Sequence, residues 1–172
     1  MPCSCDASAV LTIPCGRRLA LAALGIAFAL VVMRGWVAMG LVSRGDDVLR
    51  AGQQDRALTF YRRAAWFDPD WSVPSDRYAF AAALTGDRRV LEAGVALATT
   101  HLRRDPGSYE VRWDRAMCLL HLGRVDEAFS DLAVLARGRR ADWRMNDMAR
   151  RVALRLGKPA AAREFDGFAR PR

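Results

Sequence analysis

Four glycines, Gly52, Gly86, Gly123 and Gly157, recur at spacings of 34, 37 and 34 residues, and this periodicity constrains the chain more than any other feature. They sit in four similar segments, RAGQQDRAL (50–58), ALTGDRRVL (83–91), HLGRVDEAF (121–129) and RLGKPAAAR (155–163). A glycine five residues before an alanine recurs as Gly52/Ala57, Gly123/Ala128 and Gly157/Ala162. Each glycine follows one apolar-periodic stretch and precedes another, which reads as a helix C-cap inside a helix–turn–helix. A period of this length describes stacked hairpins, each burying its apolar face only against its neighbours.

The clearest unit is residues 38–71, AMGLVSRGDDVLRAGQQDRALTFYRRAAWFDPDW. Its Gly45, Gly52, Ala57, Tyr61, Ala64 and Pro69, with the helix-stopping FDPDW end, resemble the tetratricopeptide repeat, a 34-residue unit. Further units follow at 72–108, with a three-residue excess ahead of Asp105-Pro106, at 109–142 and at 143–172. The resemblance covers 38–172 and implies an all-α fold, a right-handed α-α solenoid of about four repeats whose inner helices line a groove for peptides or partner proteins. Several positions depart from the pattern. Leu91 stands where a small residue is expected, unit three lacks its closing proline, and Asp166 takes an apolar position as though its helix were a polar end-cap. Arg112 and Arg115 replace apolar residues, with Trp113 one step out of phase.

Before the repeats, Leu19–Met33 holds no charge, but at 1.5 Å per residue it reaches only about 22 Å of a roughly 30 Å hydrocarbon core. Extending the span to Val42 makes it long enough while enclosing Arg34, which is placed to snorkel to the interface beside Trp36. The expected organisation is a short tail (1–18), a single transmembrane anchor (19–42) and a repeat domain (38–172) continuous with it. The rival is a cleaved signal peptide, with Arg17-Arg18 before the apolar run and Ala38-Met39-Gly40 as its best small-x-small site. No flexible linker separates anchor from repeats. Arg17 and Arg18 favour an inward N-terminus and an exported repeat domain, whereas Arg34, Arg44 and Arg50 pull the other way. Exported is the expectation, which also leaves Cys3, Cys5 and Cys15 on the reducing side. Gly25 and Ala29 have the small-residue spacing of a helix-dimer face.

Carrying the resemblance over residue by residue, the partner-binding groove is expected to use Phe80, Glu110, Trp113, Met117, Arg144, Arg151 and Arg155, with Asp46, Leu49, Asp76 and Asp147 alongside. Trp, Met and Arg are the types that dominate interface energetics, although Trp113 and Met117 equally suit inter-helix core packing. The Lys/Asn set with which chaperone-binding members clamp a C-terminal carboxylate is missing: Val42, Asp46 and Asp76 stand in its vicinity.

No catalytic set, metal site or cofactor motif is expected. Two histidines leave little for His-based chemistry, and the glycines are caps with no phosphate-loop pattern. Asp114, Cys118 and His121 share one side of a helix, but no second ligand cluster accompanies them. Net charge is +8, and residues 134–172 carry 11 cations against 4 acids. Arg144, Arg151 and Arg155 recur on one helical face. Two functions follow: a membrane-tethered protein–protein interaction scaffold in envelope or membrane-complex assembly, or an electrostatic module whose basic C-terminal repeat meets anionic lipid or acidic glycan. Nucleic acid is disfavoured, since the stacking platforms of such binders are missing and the anchor argues against it.

Overall fold

The computed structural model describes residues 15–138 and 143–166, with side chains from residue 20 onward. Among these are eight helices and no strand: α1 (Cys15–Arg50), α2 (Gln54–Phe67), α3 (Ser72–Thr85), α4 (Arg88–Arg104), α5 (Tyr109–His121), α6 (Val125–Arg137), α7 (Trp143–Arg155) and α8 (Pro159–Glu164). Each helix packs on the next, and α3 also packs on α5 and α1. The chain is an all-α solenoid of hairpins.

Three hairpins close by one device. Gly52, Gly123 and Gly157 adopt φ of 75°, 75° and 66°. Each donates its N–H to the carbonyl three residues back (Leu49, Leu120, Leu154), and the following residue donates to the carbonyl five back (Val48, Leu119, Ala153). This double bond pattern satisfies the last carbonyls of the helix and needs a left-handed residue, which glycine supplies without a Cβ penalty. Gly86 (φ 65°) closes differently. Thr85 Oγ1 donates to the Ala82 carbonyl and accepts from Asp87 N–H, while Asp87 Oδ1 caps α4 by accepting from the N–H groups of Arg89 and Val90. The three-residue excess of the second unit is extra helix: α4 has 17 residues, against 14 in α2 and 13 in α6. Between hairpins, Asp68 and Asp105 make matching turns, donating to Ala64 and His101 and accepting from Trp71 and Ser108. The α6–α7 connection, where the third proline is missing, falls largely at 139–142, outside the described residues.

Alanine dominates the interior, with Ala38, Ala57, Ala64, Ala81, Ala82, Ala116, Ala128 and Ala149 fully buried. Small residues let helices approach closely, and a few large side chains, notably Tyr61, Leu132 and Leu135, fill what remains. Leu91 is accommodated in a cluster with Ala79, Ala81 and Ala82. Phe165, 3% exposed, closes the far end, edge-on to Phe129 and beneath the Arg137 guanidinium, while Asp166 is exposed. The end-cap is therefore an aromatic plug following a six-residue helix.

α1 changes character along its length, about 54 Å at 1.5 Å per residue. Leu21, Leu24, Ile26, Phe28 and Leu30 are 60–70% exposed, whereas Ala38, Val42 and Gly45 are buried against the repeats. The stretch 38–42 is thus solenoid core, the first helix of the first hairpin, and α1 packs chiefly on α2. Its exposed part is long and apolar enough to cross a membrane. Arg34 does not stand alone beside Trp36: its Nη2 lies 3.2 Å from Asp68 Oδ1 and 3.7 Å from Asp70 Oδ2, both in the α2–α3 turn.

Candidate functional site

The odd-numbered helices carry the side chains on which a partner-binding face would rest. On α1 the Asp46 carboxylate accepts from the Tyr61 hydroxyl at 2.7 Å and lies 3.8 Å from Arg77 Nε of α3. Burial, then the hydrogen bond to Asp46, pushes the Tyr61 phenol well above its usual range, so it remains a donor. This bond orients Asp46 from behind.

Asp76 of α3 and Asp114 of α5 meet side chain to side chain. Desolvation, then the hydrogen bond to Asp76 and its negative charge, pushes the Asp114 carboxyl far above the carboxylate range, partly offset by Arg77. Two carboxyls held this close do not both ionise cheaply, which favours the neutral form of Asp114. Asp114 therefore pairs across the repeat boundary and not along its own helix. Cys118, the next residue on that side, is fully buried with Sγ 3.6 Å from the Ala79 carbonyl, and burial pushes its thiol up to about 12. His121 is exposed. The three form no common site.

Of the expected groove residues, Phe80 on α3 is 49% exposed, and Glu110 on α5 and Arg144, Arg151 and Arg155 on α7 are exposed. Trp113 and Met117 are half-buried and pack against a cluster drawn from α5, α6, α7 and Phe165. Their larger role is to fill space between repeats. A cleft of about 550 Å³ between the α4–α5 turn and the end of α6 is lined by Glu110, Tyr109, Arg112 and Val134, and by none of the other groove residues. No backbone of α7 approaches α5 as α3 does, so the arginines of α7 form a separate group.

Arg112 and Arg115, out of place in the sequence pattern, belong to a buried ion cluster. Arg115 holds Asp131 of α6 through two bonds, Nε to Oδ2 at 2.8 Å and Nη2 to Oδ1 at 2.6 Å. Arg112 adds a bond of 3.3 Å to Oδ1 and another of 2.6 Å to the Pro106 carbonyl, and Arg115 Nη1 reaches Thr99 Oγ1 of α4 at 3.2 Å. The Asp131 side chain is only 3% exposed. One carboxylate thus ties α4, α5 and α6 together, and a bidentate guanidinium gives the junction its geometry.

Among the described residues, four of the seven cations of the basic end sit in ion pairs. Arg137 meets Glu164, Arg150 meets Asp147 and Asp166, Arg151 meets Asp147, and Lys158 meets Asp126. Arg144 lies over the Trp143 ring at 5.6 Å. Arg139 and Arg140 lie outside the described residues.

No family model and no curated protein sequence matches the chain. Solved structures do match it. The first TPR of Spaghetti (RPAP3) bound to HSP90 peptide SRMEEVD aligns with a TM-score of 0.63 at 15% identity, covering 72% of this chain and 95% of that one. The NMR structure of the first TPR domain of the human RPAP3 protein gives 0.63 at 15%, covering 73% and 97%. MamA MSR-1 C2 gives 0.59 at 18%, covering 78% and 80%. The fold is that of a tetratricopeptide-repeat solenoid.

Proposed function

We propose that this chain is a membrane-tethered protein–protein interaction scaffold, its solenoid presenting an inner face to a peptide or partner protein during envelope or membrane-complex assembly. The observation that carries the reading is α1: one unbroken helix whose first part is apolar and exposed and whose last part is core of the first repeat. A tether built this way holds the interaction domain against the bilayer with no linker to swing on. The same geometry argues against the signal-peptide alternative. Cleavage after Ala38-Met39-Gly40 would cut mid-helix and remove the fully buried Ala38 together with Arg34, the partner of Asp68. We assign residues 19–37 to the anchor proper and 38–172 to the repeats, with the repeat domain on the exported side.

For the face itself, the similar RPAP3 domain is seen with a peptide bound, which supports peptide capture here. Phe80 and Glu110 supply exposed contacts on the α3–α5 surface, with Trp113 and Met117 contributing edges from half-buried positions. Arg144, Arg151 and Arg155 supply charge on α7. Among the described residues, ion pairs engage Arg137, Arg150, Arg151 and Lys158 of the basic end, and no specific observation there favours the electrostatic-surface reading.

The test is capture from solubilised membranes by the intact chain, compared with Phe80→Ala/Glu110→Ala and with Arg144→Ala/Arg155→Ala. These side chains are exposed, so helicity should be unchanged. A specific partner should be lost in at least one pair and be retained at physiological salt. Recovery equal to that of the unsubstituted chain by both variants would remove the groove assignment.

A further inference from the structure

We propose that the α2–α3 turn, with Trp66, Phe67 and Pro69 on one side of α1 and Trp71 on the other, is seated in the interfacial layer of the bilayer that α1 crosses. The inference rests on the tethered reading and specifies how the solenoid stands on the lipid.

The argument is first one of length. The turn flanks α1 at the level of residues 30–39. Trp66, Phe67 and Pro69 share a cleft of about 440 Å³ with Leu30, Met33, Arg34 and Val37. Asp68 and Trp71 share another, of about 420 Å³, with Val32, Gly35, Trp36 and Met39. Between the charged Arg17-Arg18 pair and this level lie only residues 19–29, about 16 Å of helix against a hydrocarbon thickness near 30 Å. A span beginning at Leu19 therefore ends near Ala38, alongside the turn. The solenoid cannot stand clear of the membrane; the turn must share the boundary with α1.

The turn has the chemistry for that place. Trp66 is 76% exposed and Trp36 65%, although both are large and apolar, and Phe67 stands edge-on to Trp66 at 5.0 Å. Indoles with an apolar body and one polar N–H concentrate at headgroup depth. Arg34, which a span of this length must carry to the boundary, is met there by Asp68 and Asp70 from the turn itself. Continuity with the exposed face of α1 selects lipid as the occupant over a second protein surface.

The experiment uses the full chain in phosphatidylcholine/phosphatidylglycerol vesicles. Two versions each keep one tryptophan, Trp36 or Trp66, with the others changed to Phe, and helicity is checked first. If neither refolds, the wild-type chain is compared with Trp66→Phe, reading how much lipid-quenchable emission that change removes. Acyl chains brominated near the headgroup should extinguish most emission from both positions, and iodide in the buffer should leave Trp66 bright. Trp36 quenched by bromolipid with Trp66 quenched only by iodide would overturn the inference and leave the span standing. Trp66 shielded from both quenchers would mean a protein surface covers it, which also overturns the inference. Neither position quenched by bromolipid, with the chain failing to float with vesicles, would defeat the tethered reading as well.

Discussion

Substituting alanine for glycine at two places on α1 should move stability in opposite directions. At Gly45 an added Cβ would lie 2.5 Å from Tyr61 Cε1, 2.9 Å from Cδ1 and 3.0 Å from Cζ. Carbon atoms pack best at about 3.5–4.0 Å, so the ring would have to retreat by roughly 1 Å. It has nowhere to go: Tyr61 is fully buried and its hydroxyl is held by Asp46 at 2.7 Å. Overpacking of this severity costs about 3 kcal/mol, and replacing a mid-helix glycine returns about 1 kcal/mol, for a net loss near 2 kcal/mol. At about 2–4 °C per kcal/mol for a chain of this size, Gly45→Ala should lower Tm by roughly 4–8 °C. Gly40 is exposed with nothing within 4 Å of its added Cβ, so Gly40→Ala should gain about 1 kcal/mol from helix propensity alone. The assay is thermal unfolding of the intact chain in mild detergent, followed by helicity. In a Tyr61→Leu background the Gly45→Ala penalty should largely vanish. A Gly45→Ala chain melting at or above wild type would refute the close α1–α2 crossing.

The remaining expectations concern buried polar groups. Asp131→Ala strands the Arg112 and Arg115 guanidiniums, 16% and 21% exposed, and should cost roughly 3 kcal/mol in denaturant melts, whereas the apolar triple replacement Asp131→Leu/Arg112→Met/Arg115→Met should recover most of the loss. Asp114 binds its proton more tightly folded than unfolded, so its contribution to stability is complete below the ordinary carboxylate range and drains away as pH climbs above it. Asp114→Asn should therefore flatten the pH dependence of Tm and stabilise the chain most at alkaline pH; parallel wild-type and mutant curves would contradict the raised Asp114 carboxyl. With Cys3, Cys5 and Cys15 changed to Ser, Cys118 should resist iodoacetamide in the native chain and react once unfolded, because burial both shields the thiol and raises it to about 12.

The glycine ladder was legible in the sequence because it reports a backbone requirement. A left-handed residue is needed at each hairpin, and it leaves a spaced glycine whatever the neighbours are. Gly45 and Tyr61 showed in the sequence only as positions of the repeat pattern; that the Tyr61 ring lies against the Gly45 backbone came from the structure. The odd unit was visible only as a misfit: Leu91 and the three-residue excess marked it, but the Thr85–Asp87 capping turn and the longer α4 came from the structure. Arg112 and Arg115 showed as errors in an apolar pattern because their partner, Asp131, belongs to another helix and looks like an ordinary helical acid. Asp114 invited association with Cys118 and His121 by helical spacing, while its actual partner, Asp76, lies one repeat earlier. Arg34 read as a snorkelling cation; its ion pairs with Asp68 and Asp70 depend on the tertiary return of the α2–α3 turn. Pairings made across helices leave no periodic trace, and the candidate face suffers most from this. Trp113 and Met117 have the residue types of a contact surface, but their packing is decided by how far α7 stands from α5.

The central claim is that one helix is both anchor and first repeat. It is tested most directly by expressing the full chain with a C-terminal tag, extracting membranes with alkaline carbonate and measuring the intact mass of what stays in the pellet. The account predicts an uncleaved chain, retaining Leu19–Val37, that resists extraction. A carbonate-soluble product beginning near Leu41 would contradict it, for the first hairpin would then have to stand without Ala38 and the Arg34–Asp68 pair.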